Sequence, residues 1–296
     1  MSQAAKTAAT PKNVGAAELM AGFAAKAGAP ATVTFQVTDR CNYDCVHCYE
    51  THGDPPEVTL EEIDRILGEV AALGVMFLTL TGGEFFTRRD ADDILRCARR
   101  HGFAVKLLTT GHFIDERRAD LIRDLGSIQV DMSFYSASKH VHEAVTQIPG
   151  SWQRTIDAAR LLALRGVIVL LKSPVMSVNA ATLGDIAKLA QELGVKYAFD
   201  PKVTGREDGD MGPTSLRVDD ATVRAFYGDE EMGVWRDLQK TYLSSSGPSK
   251  PLDSTPCRAA VATASINPQG QLWACNVLPL PCGDLRTESF RDVRYG

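Results

Sequence analysis

Five glycines punctuate this chain and leave it few folds to choose from. Gly74, Gly102, Gly126, Gly166 and Gly194 each close a stretch with helical apolar spacing, and a short, mostly apolar run begins within two residues of each. Glycine is favoured just past a helix end because it adopts a left-handed backbone without steric cost. An apolar run directly behind it reads as a parallel strand buried on both faces. With a first strand at residues 32–37, the pattern predicts further strands at 75–80, 103–108, 128–134, 167–172 and 195–200. Helices are expected from Thr59 to Gly74 and over 88–101, 115–125, 151–165 and 181–193. The first opens on Thr59-Leu60-Glu61-Glu62, a capping box, and shows an apolar face at Ile63, Ile66, Leu67 and Val70. Repeated β-then-α units demand a parallel sheet with helices outside it. Eight such units close a full barrel. The six units here predict an α/β fold, a partial (β/α)6 TIM-like barrel with an open side.

In such barrels, chemistry collects where strands end and helices begin. After the first strand comes Cys41-Asn42-Tyr43-Asp44-Cys45-Val46-His47-Cys48, and after the second Thr81-Gly82-Gly83-Glu84. Later strand ends carry Thr109 and Thr110, Ser133, Lys172 and Ser173, and finally Asp200 and Lys202. Three thiolates on one tight loop make a soft, multidentate metal site. Two readings stand for it. One is half of a structural zinc site completed by a distant Cys or His; the other is an iron–sulfur cluster with a coordination position left open. Gly82 and Gly83 remove two side chains where a ligand would approach the backbone, and with Glu84 they suit a ligand ammonium group.

The cysteines number seven, at 41, 45, 48, 97, 257, 275 and 282, an odd and uneven set that suits metal ligation in a reducing cytoplasm better than a disulfide framework. A net charge of −5 without a basic block argues against a nucleic-acid partner. No apolar stretch is long enough to span a membrane. Residues 1–30 read as a mobile N-terminal tail, since Glu18 and Lys26 interrupt any signal-peptide core. A lid loop over 201–215 and a helix near 217–241 complete a barrel unit at 31–243; residues 244–256 read as a Ser/Pro/Gly linker, and 257–296 as a separate cysteine-bearing unit. In that unit Asn267-Pro268-Gln269-Gly270 marks a turn between short strands at 264–266 and 271–274.

The spacing Cys41-x3-Cys45-x2-Cys48, followed one βα unit later by Gly82-Gly83-Glu84, resembles the radical S-adenosylmethionine superfamily over about residues 30–203. The resemblance implies that Cys41, Cys45 and Cys48 hold a [4Fe–4S] cluster whose open iron binds the methionine end of S-adenosylmethionine. One electron then cleaves the sulfonium bond, and the resulting 5′-deoxyadenosyl radical takes hydrogen from a substrate. It also implies that Gly82, Gly83 and Glu84 contact the methionine end and that Ser133 contacts the ribose or carboxylate. His47 stands where relatives usually place an aromatic ring near the adenine. Relatives often carry an Arg in a segment resembling 141–150; Thr146 stands there instead, leaving Lys172 to take over the carboxylate contact.

The pattern Cys257-x12-Gly270-x4-Cys275, followed by Cys282-Gly283-Asp284-Leu285, resembles the SPASM/twitch extension of these enzymes. The chain stops at Gly296, before that extension's further cysteines, so the extension reads as minimal or shortened. By this resemblance Cys257, Cys275 and Cys282 hold one auxiliary iron–sulfur cluster. The extension implies a ribosomal peptide or protein as substrate, making the chain a peptide maturase. A small cofactor precursor such as a tetrapyrrole is the alternative substrate, and a non-catalytic zinc-stabilised binding module the alternative of another class. The implied partners are a reductase or flavodoxin-type electron donor and a separate leader-peptide recognition protein. Elsewhere, Cys97, Trp152 and Trp235 read as packing residues, His101, His112, His140 and His142 as structural or surface groups, and 229–231 as a solvated acidic face. Asp131, inside a strand, needs a partner.

Overall fold

The computed structural model describes residues 28–228 and 259–296. Most of the expected tail, the linker, the acidic run, Trp235 and Cys257 lie outside these residues. The barrel strands are β1 Thr32–Gln36, β2 Phe77–Thr81, β3 Ala104–Thr109, β4 Ile128–Ser133, β5 Ile168–Pro174 and β6 Lys196–Asp200. Interleaved with them are α1 Leu60–Ala72, α2 Ala91–Arg100, α3 Glu116–Leu125, α4 Lys139–Thr146, α5 Ser151–Ala163 and α6 Leu183–Leu193; α7 Asp220–Gly228 follows. The C-terminal part adds β7 Thr263–Ile266, β8 Gln271–Cys275, β9 Leu278–Asp284 and α8 Phe290–Tyr295.

One nine-stranded sheet runs in the order β6-β5-β4-β3-β2-β1-β7-β8-β9. Its first six strands are parallel neighbours, as six right-handed βα units in chain order require. The order does not return from β9 to β6, so the barrel is open. The C-terminal unit is continuous with this sheet: β7 pairs in parallel with β1, Thr32 against Thr263 through Phe35 against Ile266. From β7 the sheet turns antiparallel through β8 and β9.

Local chemistry explains the elements. Thr59 caps α1 reciprocally: its Oγ1 accepts from Glu62 N at 3.2 Å, and its own N–H donates to Glu62 Oε2 at 2.8 Å. Ile63, Ile66, Leu67 and Val70 of α1 are buried against the sheet. Gly74 turns the chain at φ +83° with open space where a Cβ would stand, so backbone conformation alone calls for glycine there. The core joins alternate strand residues such as Val33, Phe35, Leu78 and Leu80 to the inner faces of the helices. Buried Arg88 bridges Glu57 and Asp90 and donates to the carbonyls of Val37 and Val58, tying β1 to the segment before α1.

Three elements depart from the sequence expectation. Helix α4 occupies a stretch without its own glycine stop. Strand β9, Leu278–Asp284, contains Pro279 and Pro281, which argue against a central strand but are tolerated at a sheet edge. Helix α8 is a single short turn and a half, capped by Ser289 Oγ accepting from Asp292 N at 3.1 Å. His142, expected at the surface, is fully buried on α4, where its Nδ1 accepts from Tyr135 N at 3.3 Å. Its apolar neighbours Phe134 and Tyr135 leave no room for solvent, and burial lowers its pKa to about 3. No helix among the described residues is long and apolar enough to cross a membrane.

Candidate active site

The cysteine loop is held from two sides. Val37 N donates to Thr81 O, Gly83 N to Thr38 O and Glu84 N to Arg40 O, each at 2.9 Å, so the end of β2 is stitched to the start of the loop. Across from them, Asp44 N reaches Thr146 O at 3.3 Å and Val46 N reaches Val145 O at 3.0 Å, at the end of α4. Thr146 therefore works through its backbone, while its hydroxyl pairs with Ser151 Oγ at 2.7 Å.

A cavity of about 960 Å³ opens at the C-terminal strand ends, and Cys41, Cys45, His47, Cys48, Gly82, Gly83, Ser133 and Lys172 all line it. Burial pushes the Cys41 thiol up to about 12 and the Cys45 thiol to about 11, and raises Cys48 as well. Thiols so placed ionise when a group bringing its own positive charge binds them, as iron does. Among the described residues, the Cys/His/Asp/Glu trio whose ligand atoms all lie within 4.8 Å of one another is Asp64, Cys97 and His101, away from this cavity. At least one pair among the three loop thiols therefore lies more than 4.8 Å apart.

The two glycines serve the loop as much as any ligand. A Cβ on Gly82 would stand 2.7 Å from Thr38 Cγ2 and 2.8 Å from Thr38 O; one on Gly83 would stand 2.6 Å from Arg40 O and 2.9 Å from Cys41 Cβ. Glu84 is set apart from the cavity lining. Its carboxylate is buried and accepts from Phe86 N at 3.0 Å, Thr109 Oγ1 at 2.8 Å and Thr110 N at 2.6 Å, which locks the end of β2 to the end of β3. At the end of β2, Thr81, Gly82 and Gly83 are the residues that line the cavity.

His47 packs edge-on against Tyr135 with ring centroids 4.9 Å apart, and its Nδ1 is buried without a hydrogen-bond partner. Burial lowers its pKa to about 4, so the ring is neutral near pH 7. Tyr135 in turn places its hydroxyl 3.7 Å from Cys45 Sγ. Asp131 has the partners an inward strand carboxylate needs: Gln129 Nε2 donates to it at 2.7 Å, and Lys172 Nζ stands 3.9 Å away, half exposed to the cavity. Tyr135, expected at this mouth from its place after the fourth strand, lines the cavity, as do Tyr49, Glu50 and His52 just past the third cysteine, which the sequence reading did not single out. Burial pushes the Glu50 carboxyl up to about 8; a hydrogen bond with Tyr49 offsets part of this, and the charges of Glu207 and Asp39 add to it. Its one sequence signal is its place two residues after the third cysteine, which no spacing rule distinguishes.

Among the described residues, the C-terminal cysteines Cys275 and Cys282 lie outside this cavity lining. Half-buried Cys275 ends β8 opposite Leu278, and exposed Cys282 lies on β9 between Pro281 and Gly283, which face Trp273 and Leu272. The two thiols therefore sit at different levels of the ladder. The hairpin nonetheless touches the cysteine loop: Asn276 Nδ2 donates to Tyr49 Oη at 3.0 Å and Gln269 Nε2 to Asp39 Oδ2 at 2.8 Å.

The chain is similar to several known proteins. An AdoMet-dependent heme synthase of Methanosarcina barkeri is 23% identical over 290 residues, covering 91% of this chain and 83% of that protein. The mycofactocin maturase MftC of Mycobacterium tuberculosis is 27% identical over 261 residues, covering 83% of this chain and 64% of its own length. The crystal structure of Streptococcus suis SuiB bound to precursor peptide SuiA superimposes with a TM-score of 0.76 at 15% identity, covering 95% of this chain and 68% of that one. The model of the radical SAM superfamily matches residues 35–193, which contain the end of β1, the cysteine loop, Gly82-Gly83-Glu84 and strands β2 to β5. With the open barrel, the thiol-lined cavity and that match together, the chain belongs to the radical S-adenosylmethionine superfamily.

Proposed function

We propose that this enzyme modifies a ribosomally made peptide or protein by hydrogen abstraction. The observation that carries the reading is the cavity at the strand ends, in which three thiols, Cys45 buried and Cys41 and Cys48 partly so, share one space with charged groups of both signs, Glu50, Asp131, Lys172 and Lys202. When bound, a [4Fe–4S] cluster and S-adenosylmethionine supply a one-electron cleavage that yields a 5′-deoxyadenosyl radical. The chain's own residues do the rest. Cys41, Cys45 and Cys48 hold the metal. The Gly82–Gly83 backbone receives the methionine ammonium, and Ser133 and Lys172 the polar end of the cofactor. The neutral His47 ring packs beside the adenine, with its open Nδ1 as acceptor. Glu84 acts indirectly, by fixing the two strand ends.

The peptide assignment is supported by MftC, a maturase by name, and by SuiB, which is bound to its precursor peptide. A tetrapyrrole substrate is the second reading. It is favoured by the heme synthase relative, whose match covers most of both chains, and by Lys172 and Lys202, which would pair with propionate groups. An auxiliary cluster would draw on Cys257 and Cys275, with Cys282 joining after a shift of β9. A low-potential flavodoxin-type donor would supply the electron, and a separate protein would present the leader peptide.

Anaerobic reconstitution tests this directly. The wild-type chain is expected to take up about four irons at the first site and to release 5′-deoxyadenosine with dithionite. Cys45→Ala should lose both, and turnover by Cys45→Ala at the wild-type rate would end the catalytic reading. Mass shifts in candidate peptides, set against loss of carboxylate mass from a tetrapyrrole, separate the two substrate classes.

A further inference from the structure

On the outer layer of the barrel, where α1 meets α2, three side chains of metal-binding type converge. Cys97 lies on α2 and His101 one turn later at its C-terminal cap, so both present to the same face; Asp64 lies opposite on α1. Cys97 Sγ is 3.1 Å and His101 Nε2 2.7 Å from Asp64 Oδ1, and the three ligand atoms all fall within 4.8 Å of one another. Cys97 is buried, whereas Asp64 is 44% exposed, so the group is closed at its sulfur end and reachable from solvent at its oxygen end.

Two further observations set this group apart from ordinary helix packing. Gly68 sits in the interior of α1, one turn from Asp64, where glycine weakens a helix relative to alanine. A Cβ there would stand 3.3 Å from His101 Cε1, so the glycine clears the seat of the imidazole ring. In addition, Asp64 Oδ1 is approached by three donors, the third being Arg100 Nη2 at 2.8 Å. A carboxylate oxygen offers about two lone-pair sites. Hydrogen bonding alone thus overcrowds one oxygen, while a single cation among the three side chains would satisfy all of them.

We propose that Asp64, Cys97 and His101 form a divalent metal site of zinc type that pins α1 to α2. One thiolate, one imidazole and one carboxylate form a mixed donor set that suits zinc, with water as the fourth ligand. Tetrahedral bonds of about 2.0–2.3 Å set ligand atoms roughly 3.3–3.6 Å apart, so the trio needs to open by several tenths of an ångström. The half-exposed Asp64 allows this, and the Arg100 side chain, 62% exposed, is free to swing away. Zinc takes the place of the thiol proton and of Arg100 on the carboxylate. The site is independent of the cavity and of its substrate.

The test uses the full chain after iron reconstitution, with the cavity thiols occupied. Zinc is added, the protein is desalted anaerobically, and both metals are counted. Wild type should retain about one zinc more per chain than Cys97→Ser or His101→Ala, with iron equal in all three. Equal zinc in all three overturns the proposal. Arg100→Ala provides a check that misfolding cannot imitate. Removing a competing exposed cation should tighten zinc binding about two- to fivefold in competition with a chelating dye, and an unchanged or weaker affinity overturns the site. Gly68→Ala should move affinity in the opposite direction.

Discussion

At Gly83 a hydrogen atom is all that the neighbouring backbone admits. The carbonyl of Arg40 would lie 2.6 Å from a Cβ, and backbone cannot step aside as a flexible side chain can. Gly83→Ala should therefore displace the cysteine loop. We expect a stability loss of about 1–3 kcal/mol from overpacking, and a larger loss of bound iron than of folded protein, read by iron count and far-UV circular dichroism. His142 supports a prediction about acid. Its folded pKa of about 3 lies below the unfolded value of 6.5, so its contribution is intact above pH 6.5 and is lost as pH falls toward 3. Between pH 6.5 and 5 the wild type should lose about 2 kcal/mol from this group alone. Urea titrations should show a shallower acid slope for His142→Gln, and equal slopes would refute the assignment. At this scale, the legible part was what covalent spacing encodes. Cys41, Cys45 and Cys48 share a loop whatever the tertiary packing. The task of Glu84 was not legible, because Thr109 and Thr110, which claim its carboxylate, arrive on another strand. Glu50 was hidden for the same reason: its environment is made by Asp39 and Glu207, distant in sequence.

Among the elements, the first five βα units were readable because α1, α2, α3, α5 and α6 each lead into a glycine with positive φ, at residues 74, 102, 126, 166 and 194. Helix α4 was missed because it ends on Gln147, which adopts the left-handed conformation itself at φ 60°. Strand β9 and helix α8 were missed because their residues are chosen for an edge and for a contact, neither of which has a period. That contact is specific. Phe290 opens α8 fully buried, and its N–H donates to Glu69 Oε2 on α1 at 2.7 Å. Phe290→Ala should cost about 3–5 kcal/mol, the range for emptying a phenylalanine seat in a core. A urea midpoint that stays within error of wild type would show that the seat is not occupied in solution.

For the molecule as a whole, the strand pairing of β7 with β1 makes the C-terminal unit part of the barrel's own sheet. Thermal unfolding followed by tryptophan fluorescence and by far-UV circular dichroism should therefore give coincident transitions; an early, separate loss of the 259–296 region would contradict the shared sheet. The sequence showed that a hairpin was present, but not that it would dock beside the first strand, since pairing partners far apart in the chain leave no local mark. The far end of this sheet has a further consequence. Pro279 and Pro281 leave β9 without two of the amide hydrogens that an incoming strand would need. An open sheet of nine strands has two edges, β6 and β9, and an unprotected edge strand is a template for copies of itself. The two prolines blunt the β9 edge, because a strand added there would find fewer donors than a regular edge offers.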